Sequence, residues 1–310
     1  MALGQPAWGS ESAVQGGPIG GTDIRNALIP PVPGFYLGLA DVPAYYRQVN
    51  GDNGQKLPGV HDVDVEANIV GGALQYVYPF KLYGGTVASL LQFDYATEST
   101  FKIGNLGIHQ TSVGWGDPYL DVVKWSRNFG SFGGPPQHVR YPFPYGLTVL
   151  AAYSMEIPIG TYEPQKLAPD GHNVVFIIPN LAVTYMTEPN FLGDGAEFDA
   201  HLFFDYSAEN HETDYQSGPP IDVDFAITER DKIFQYGVAG FYARQIQNDY
   251  HDGLVVAPNG KHFEAFKLGP IFAVDFPRQH LTVKFKASLG IESHNTLDGT
   301  NFVISLGMKL

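Results

Sequence analysis

The sequence predicts an all-β chain, a twelve-stranded antiparallel up-and-down transmembrane β-barrel, and three observations carry that reading. First, apolar and polar residues alternate. In AEFDAHLFFDYSAENHETDY at 196–215, Glu197, Asp199, His201, Phe203, Asp205 and Ser207 hold one parity, and Phe198, Ala200, Leu202, Phe204, Tyr206 and Ala208 the other. In an extended strand the two sets face opposite ways. Second, Asp, Glu, Lys and Arg make up only 16% of 310 residues, while Phe and Tyr number 21 and 18; a soluble domain carries about a quarter charged residues. Third, tight connections alternate with long polar ones, as the turns and loops of a membrane barrel do.

Alternation alone fits a soluble β-sandwich with a dry interior equally well. The shortage of charge decides for hydrocarbon on the outside, together with large aromatics on the apolar parity (Phe204, Tyr206, Phe272, Phe276) and ionisable residues clustered on the polar one. Backbone groups in hydrocarbon must all be paired, so such strands have to close on themselves.

Taken in order, residues 1–28 include GSESAVQGGPIGGTDIRNAL, too rich in glycine and small polar groups for a domain of its own. They are expected to form a flexible segment that hangs free or tucks into the lumen, with the barrel over 29–310. Strand one, 34–42, alternates Phe35, Leu37 and Leu39 with Tyr36, Gly38 and Ala40, and runs into the polar VNGDNGQKLPG. Strand two, 62–79, is rich in β-branched and aromatic residues and turns tightly at PFKLYGG; strand three, 85–98, ends in the long KIGNLGIHQTSVGWG. Strands four and five, 118–128 and 145–157, flank NFGSFGGPPQHVRYPFP, which is longer than the alternation of connections asks. Strands six and seven, 173–187 and 196–209, precede strand eight, 221–229, and the ERDK turn. Strand nine, 233–246, leads into QNDYHDGLVVAPNGKH. Strand ten, 263–276, sets Phe266, Leu268, Pro270, Phe272, Val274 and Phe276 against Lys267, Gly269 and Asp275, before the tight PRQH. Strand eleven, 280–290, opposes Leu281, Val283, Phe285, Ala287 and Leu289 to Thr282, Lys284, Lys286 and Ser288. Strand twelve, 300–310, opposes Phe302, Ile304, Leu306, Met308 and Leu310 to Val303, Ser305, Gly307 and Lys309.

Composition excludes several classes of function. A net charge of -14 argues against nucleic acid or anionic lipid as a general partner. With no cysteine there is no disulfide, thiol nucleophile or thiolate metal site. No run approaches 18 apolar residues, so no helix spans a membrane. The opening MALGQPAWGSESAVQG lacks a basic-then-apolar leader, which suits a cytosolic or an already processed chain.

Under the barrel reading the polar parity lines the lumen. Strands seven and eight contribute Glu197, Asp199, His201, Asp205, Asp222 and Asp224, and strand two is expected to add Asp62, Asp64 and Glu66. Lys267, Lys284, Lys286, Lys309 and Arg244 face them, so acid and base oppose each other around the bore. Such an arrangement either tunes selectivity, as charged rings do, or pairs into networks that fill a polar interior. His201, Asp205, His211 and Asp214 have no metal-ligand spacing, so neither metal nor cofactor is expected. Ser154, His201 and Asp199 could serve an outer-membrane hydrolase, but no GxSxG frames the serine.

The run EIPIGTYEPQKLAPDGHNVVFIIPNLAVTYM carries Pro158, Gly160, Tyr162, Leu167, Gly171, Asn173, Pro179 and Tyr185. With GWGDP at 114–118, TDYQSG at 213–218, FQYGVAGFYARQIQND at 234–249 and KLGP at 267–270, it resembles the outer-membrane family named for the meta-pathway of phenol degradation. The resemblance implies a monomeric twelve-stranded channel in the bacterial outer membrane, surrounded by lipid and lipopolysaccharide. It further implies passive uptake of small aromatic or other hydrophobic or amphipathic molecules, with no catalytic residues. The alternatives are a hydrolase and a sealed structural barrel. A hydrophobic solute could leave sideways where a proline interrupts pairing, at Pro43, Pro118, Pro179 or Pro270.

Overall fold

A computed structural model of the chain describes residues 11, 16–132, 143–257 and 259–310. Of the 1–28 segment, residues 1–10 and 12–15 lie outside the described residues, as does most of the connection between strands four and five.

Twelve long strands build the wall: β1 (Gly34–Asn50), β2 (Val63–Leu82), β3 (Gly85–Ile103), β4 (Tyr119–Gly130), β5 (Gly146–Glu156), β6 (Phe176–Met186), β7 (Gly195–Phe204), β8 (Pro220–Asp231), β9 (Phe234–Gln245), β10 (Glu264–Phe276), β11 (Leu281–His294) and β12 (Thr296–Lys309). Each pairs antiparallel with its chain neighbours, and β12 returns to β1 through Tyr36↔Lys309 to Asn50↔Thr296, so the sheet has no free edge. Closure satisfies every strand's backbone without water.

Side chains follow the alternation. Val77, Ala88, Leu150 and Ala182 point inward and are buried, whereas Phe35, Leu74, Phe93, Leu202, Phe272 and Phe285 on the other parity are exposed. Outward aromatics gather near the two rims: Phe35, Tyr76, Tyr78 and Phe80 form a chain of rings with centroids 4.7, 5.0 and 5.4 Å apart at one, and Tyr95 meets Trp115 at 5.0 Å towards the other. Rings with one polar end belong where hydrocarbon meets water. Phe272 stacks on Phe234 and Phe302 on Phe285 on this outer face, not in a dry centre.

The short turns after β2, β8 and β10 share one end, and at the other end only Asn295 separates β11 from β12. Between β2 and β3, Tyr83 and Gly84 both have positive φ (48° and 77°), the backbone of a two-residue hairpin that twists with its strands. By loop length this end is periplasmic and the other extracellular. β1, β2 and β3 run 17, 20 and 19 residues, about twice what a tilted strand needs to cross, so they rise above the membrane. Their upper outer face is polar, and Arg47 pairs there with Asp64 at 2.8 Å and with Glu66. The expectation that Asp62, Asp64 and Glu66 line the lumen is therefore corrected. Val63 and Val65 take the inward positions, packed with Val49, Phe101 and Ile103, and Asp62 is exposed before the strand begins.

The segment read as a loop after β3 holds a further strand, Ile108–Trp115, which folds back on the upper half of β3. Strand seven ends at Phe204 rather than at 209; Tyr206–Ser207 continues as a two-residue piece paired with β6.

Candidate functional site

The bore has two unlike arcs. Along β4–β11 the inward parity carries hydrogen-bonding groups, and residues 16–29 lie against them. Glycine makes that approach close: a Cβ at Gly16, Gly17 or Gly20 would fall 2.4, 2.4 or 2.5 Å from Phe176, Asp205 or Phe241. Backbone N–H groups of Gly20 and Thr22 donate to Asp224 at 2.8 and 2.7 Å, and Thr22 Oγ1 donates to it at 2.7 Å. Further along, the N–H of Arg25 donates to Glu197 at 2.9 Å, that of Asn26 to Asp199 at 3.1 Å and that of Ala27 to Thr184 at 3.0 Å. The Arg25 guanidinium grips Asp275 with two nitrogens, at 2.9 and 2.6 Å, and reaches Gln235 at 2.9 Å. Arg25 has φ 60°, uncommon for a side-chain-bearing residue, and the fork on Asp275 holds it there. Apolar residues of the same segment fill the gaps. Ala27 and Ile29 pack on Val77 and Leu150 near the turns, Ile24 on Ala226 and Ile271, and Ile19 on Phe241 and Phe263 near the loops. Glu11 accepts from Tyr162, Asn210 and Thr213 in the outer loops.

Most of the lumen residues expected from the sequence meet this segment. Lys284 and Lys286 bind Asp23 at 2.6 and 3.2 Å, and Lys286 also donates to the carbonyl of Gly20 at 2.7 Å. Glu197 pairs with buried Arg230. Asp199 accepts from Thr184, and His201 lies 3.0 Å from Asn180 and 3.3 Å from Thr22. Asp222 and Asp205 flank Asp224; all three carboxylates and Glu197 are 0% accessible. The Asp205 carboxylate finds no hydrogen-bond partner among the described residues. Lys267 stands apart, 4.7 Å over the Tyr46 ring and 3.3 Å from Asn301. Arg244 is misplaced by the sequence reading: it shares the outer parity with Tyr242, half exposed, 3.8 Å from Glu264, because Phe241, Ala243 and Gln245 take the inward positions. Sequence reasoning missed Asp23, Arg25, Thr184, Arg230 and Gln235. Asp23 and Arg25 sit in a stretch without periodicity, so no local signal marks them.

Along β12, β1, β2 and β3 the wall is different. The inward residues form rungs across three strands: Gly38, Ala73 and Gly307; Ala40, Gly71 and Ser305; Val42, Ile69 and Val303. All are only partly buried. A Cβ at Gly307 would meet nothing within 4 Å, and one at Gly71 only a backbone oxygen at 3.7 Å. On the outside of this wall, an apolar groove of about 790 Å³ lies over Gly72 between Leu39, Leu74 and Phe93, roofed by Trp115 and Ile159. Behind it β1 and β2 pair without a break from Gly34↔Val77 to Tyr46↔Val65. Pro43, Pro179 and Pro270 all stand in paired strands, and Pro118 lies where β3 exchanges its partner Ile108–Trp115 for β4.

The sequence motifs gather at the loop end as a scaffold. Asp117 accepts from the N–H groups of Gly160 and His172 at 2.7 and 2.6 Å; Asp249 accepts from Tyr215 and Gly218 at 2.6 and 2.7 Å. Burial alone would lower the His172 pKa, but the carboxylates of Asp117, Glu156 and Asp94 outweigh it and raise it. Burial would raise Asp117, yet its bonds from His172 and Gly160 hold it below the usual range. Glu156 in turn accepts from the N–H of Gly17 at 3.3 Å. The hydrolase arrangement is not formed: Ser154 donates to Asp121, Asn180 stands between it and His201, and Asp199 is turned to Thr184. A nucleophile needs its base within direct reach.

Comparison with known proteins agrees with this architecture. A family model described as "Putative MetA-pathway of phenol degradation" matches residues 47–306. Among solved structures, an outer membrane channel from Pseudomonas putida F1 superposes with a TM-score of 0.73 at 12% identity, covering 93% of this chain and 100% of that one. The transport unit of the autotransporter AIDA-I from Escherichia coli gives 0.51 at 10% identity, covering 93% and 92%. Identities this low speak for the fold alone. No curated protein matches the chain in sequence.

Proposed function

The chain belongs to the family described as the putative MetA-pathway of phenol degradation, and from that premise we propose that this outer-membrane barrel is a passive channel for small aromatic or other apolar and amphipathic molecules. One observation supports the reading above the rest. Twelve strands enclose more room than side chains fill, and residues 16–29 engage one arc of the wall while small residues line the other. The segment acts as a fixed constriction that sets the bore, and Lys267 biases it toward anions, while Lys284 and Lys286 are paired with Asp23 of the segment. The barrel stands in lipid and lipopolysaccharide as a monomer.

The density of hydrogen bonds on the segment favours a second reading, a sealed structural barrel. Planar-bilayer recordings of the purified full chain separate the two. Discrete open levels, larger in a variant lacking residues 1–28, support a channel with a constriction. A silent full chain beside a conducting truncation supports the sealed barrel, and silence of both removes the transport reading.

A further inference from the structure

We infer that the path through this barrel follows the arc β12–β1–β2–β3, whose middle the segment leaves uncovered, and that the solute it suits is an uncharged flat ring rather than an aromatic carboxylate. The inference rests on the channel reading and narrows it.

Among the described residues, the segment's hydrogen bonds to the wall run from Ser126 on β4 to Lys284 and Lys286 on β11, and none reaches β12, β1, β2 or β3. Side chains on the two sides respond accordingly. Asp224, Ala226, Thr184 and Phe203 are fully buried, whereas Gly38, Ala40, Gly71, Ala73, Ser305 and Gly307 stay half open. These six occupy two adjacent rungs. Three neighbouring strands at about 4.8 Å spacing make a strip about 10 Å wide, the breadth of a substituted benzene ring. Leucine or phenylalanine on these rungs would project into the bore, and the sequence places the smallest side chains there instead.

Charge decides the class of solute. On β12, β1 and β2 the two rungs carry only the Ser305 hydroxyl; β3 completes them with Gln92 and the Asp94 carboxylate, and the adjacent cations on β11, Lys284 and Lys286, are held by Asp23. An anion passing the middle of the strip would leave water to meet the Asp94 carboxylate, because Lys309 stands one rung nearer the turns, and that is unfavourable. A neutral ring gives up little hydration and slides over apolar carbons.

The chain contains no cysteine, so single cysteines report on the arc directly. The full chain is studied in planar bilayers with potassium chloride, its folding checked by heat-modifiable gel migration. A40W and G307W are expected to cut conductance at least about fivefold, and L39W, one residue along on the outer face, to leave it unchanged. A bulky maleimide should react with S305C and G307C and reduce their current, while A226C, covered by Ile24, stays unlabelled. Benzyl alcohol should block wild-type current more strongly than benzoate at equal concentration. The arc is wrong if A40W and G307W conduct as wild type does, or if A226C labels as fast as G307C. Stronger block by benzoate overturns the solute class. A wild-type barrel with no current at all would instead remove the channel reading on which the arc depends.

Discussion

Two arcs of one sheet share the same pairing and the same alternation, yet β4–β11 bury most of their inward side chains, whereas β12–β3 bury theirs towards the two ends, at Val77 and Ala88 and at Val49, Val63 and Phe101, and leave the middle half open. The difference lies in what the inward parity carries. Where it offers carboxylates, lysines and hydroxyls, a backbone with unpaired N–H groups gains partners out of water, and residues 16–29 settle there. Where the middle of β12, β1 and β2 offers Gly, Ala and Val, the same backbone would lose its hydration for little return. A polar wall thus attracts a polypeptide, and a small apolar wall stays uncovered for want of hydrogen bonds rather than by steric exclusion.

The comparison can be broken most directly by removing the segment. A variant without residues 1–28 should conduct several-fold more than the full chain, because both arcs then face solvent; equal conductance would mean that the segment does not narrow the bore. Next in size is R25A, which strands Asp275 in the interior. Removing one partner of a buried pair costs about 3 kcal/mol or more, roughly a hundredfold in the population of a detached segment. Maleimide labelling of A226C should accelerate by about that factor in the R25A background, and an unchanged rate would show that the apolar contacts alone hold the segment. K267Q sharpens the contrast between cations. Among the described residues no carboxylate is bound to Lys267, whereas Lys284 and Lys286 are committed to Asp23. Reversal potentials in a salt gradient should therefore lose about half of the anion preference in K267Q, and R244Q on the outer face should not alter it.

The smallest effect concerns pH at the outer loops. His172, raised by its carboxylates, contributes stability that is complete below about 6.5 and fades as pH rises through its higher folded value. Asp117, depressed, contributes above about 3.9 and fades as pH falls through its lower folded value. Thermal unfolding should therefore be latest in mildly acidic buffer and shift down by about 2 °C on the alkaline side. H172Q should abolish the alkaline part of that shift, and persistence of the shift would assign it to other groups.

Particular residues show how far sequence reasoning reached. Phe204 on one side and Asp205 on the other follow from alternation, because successive Cβ atoms of any strand point apart. The same rule, applied to FYARQ, places Arg244 with Tyr242 on the outer face. Reading it as a lumen cation gave weight to its charge and not to its parity. Asp64 and Glu66 depart from the lumen reading for a related reason: strands that rise beyond the bilayer face water on the outside and an apolar core on the inside, so polarity marks the opposite face there. The loop strand Ile108–Trp115 is hidden by the glycines around it and by its polar composition. The family motifs were legible as motifs, but their work of tying outer loops to Asp117 and Asp249 was not.

By itself the sequence determined the alternation, the number of crossings and the closed wall, which follow from patterns local in the chain. Tertiary structure alone decided which lumen charges are spent on the N-terminal segment and which arc is left bare. Arg25 meets Asp275 across 250 residues and Asp23 meets Lys284 across 261. No period or spacing encodes such partners, because they are chosen by geometry and desolvation only once the barrel has closed.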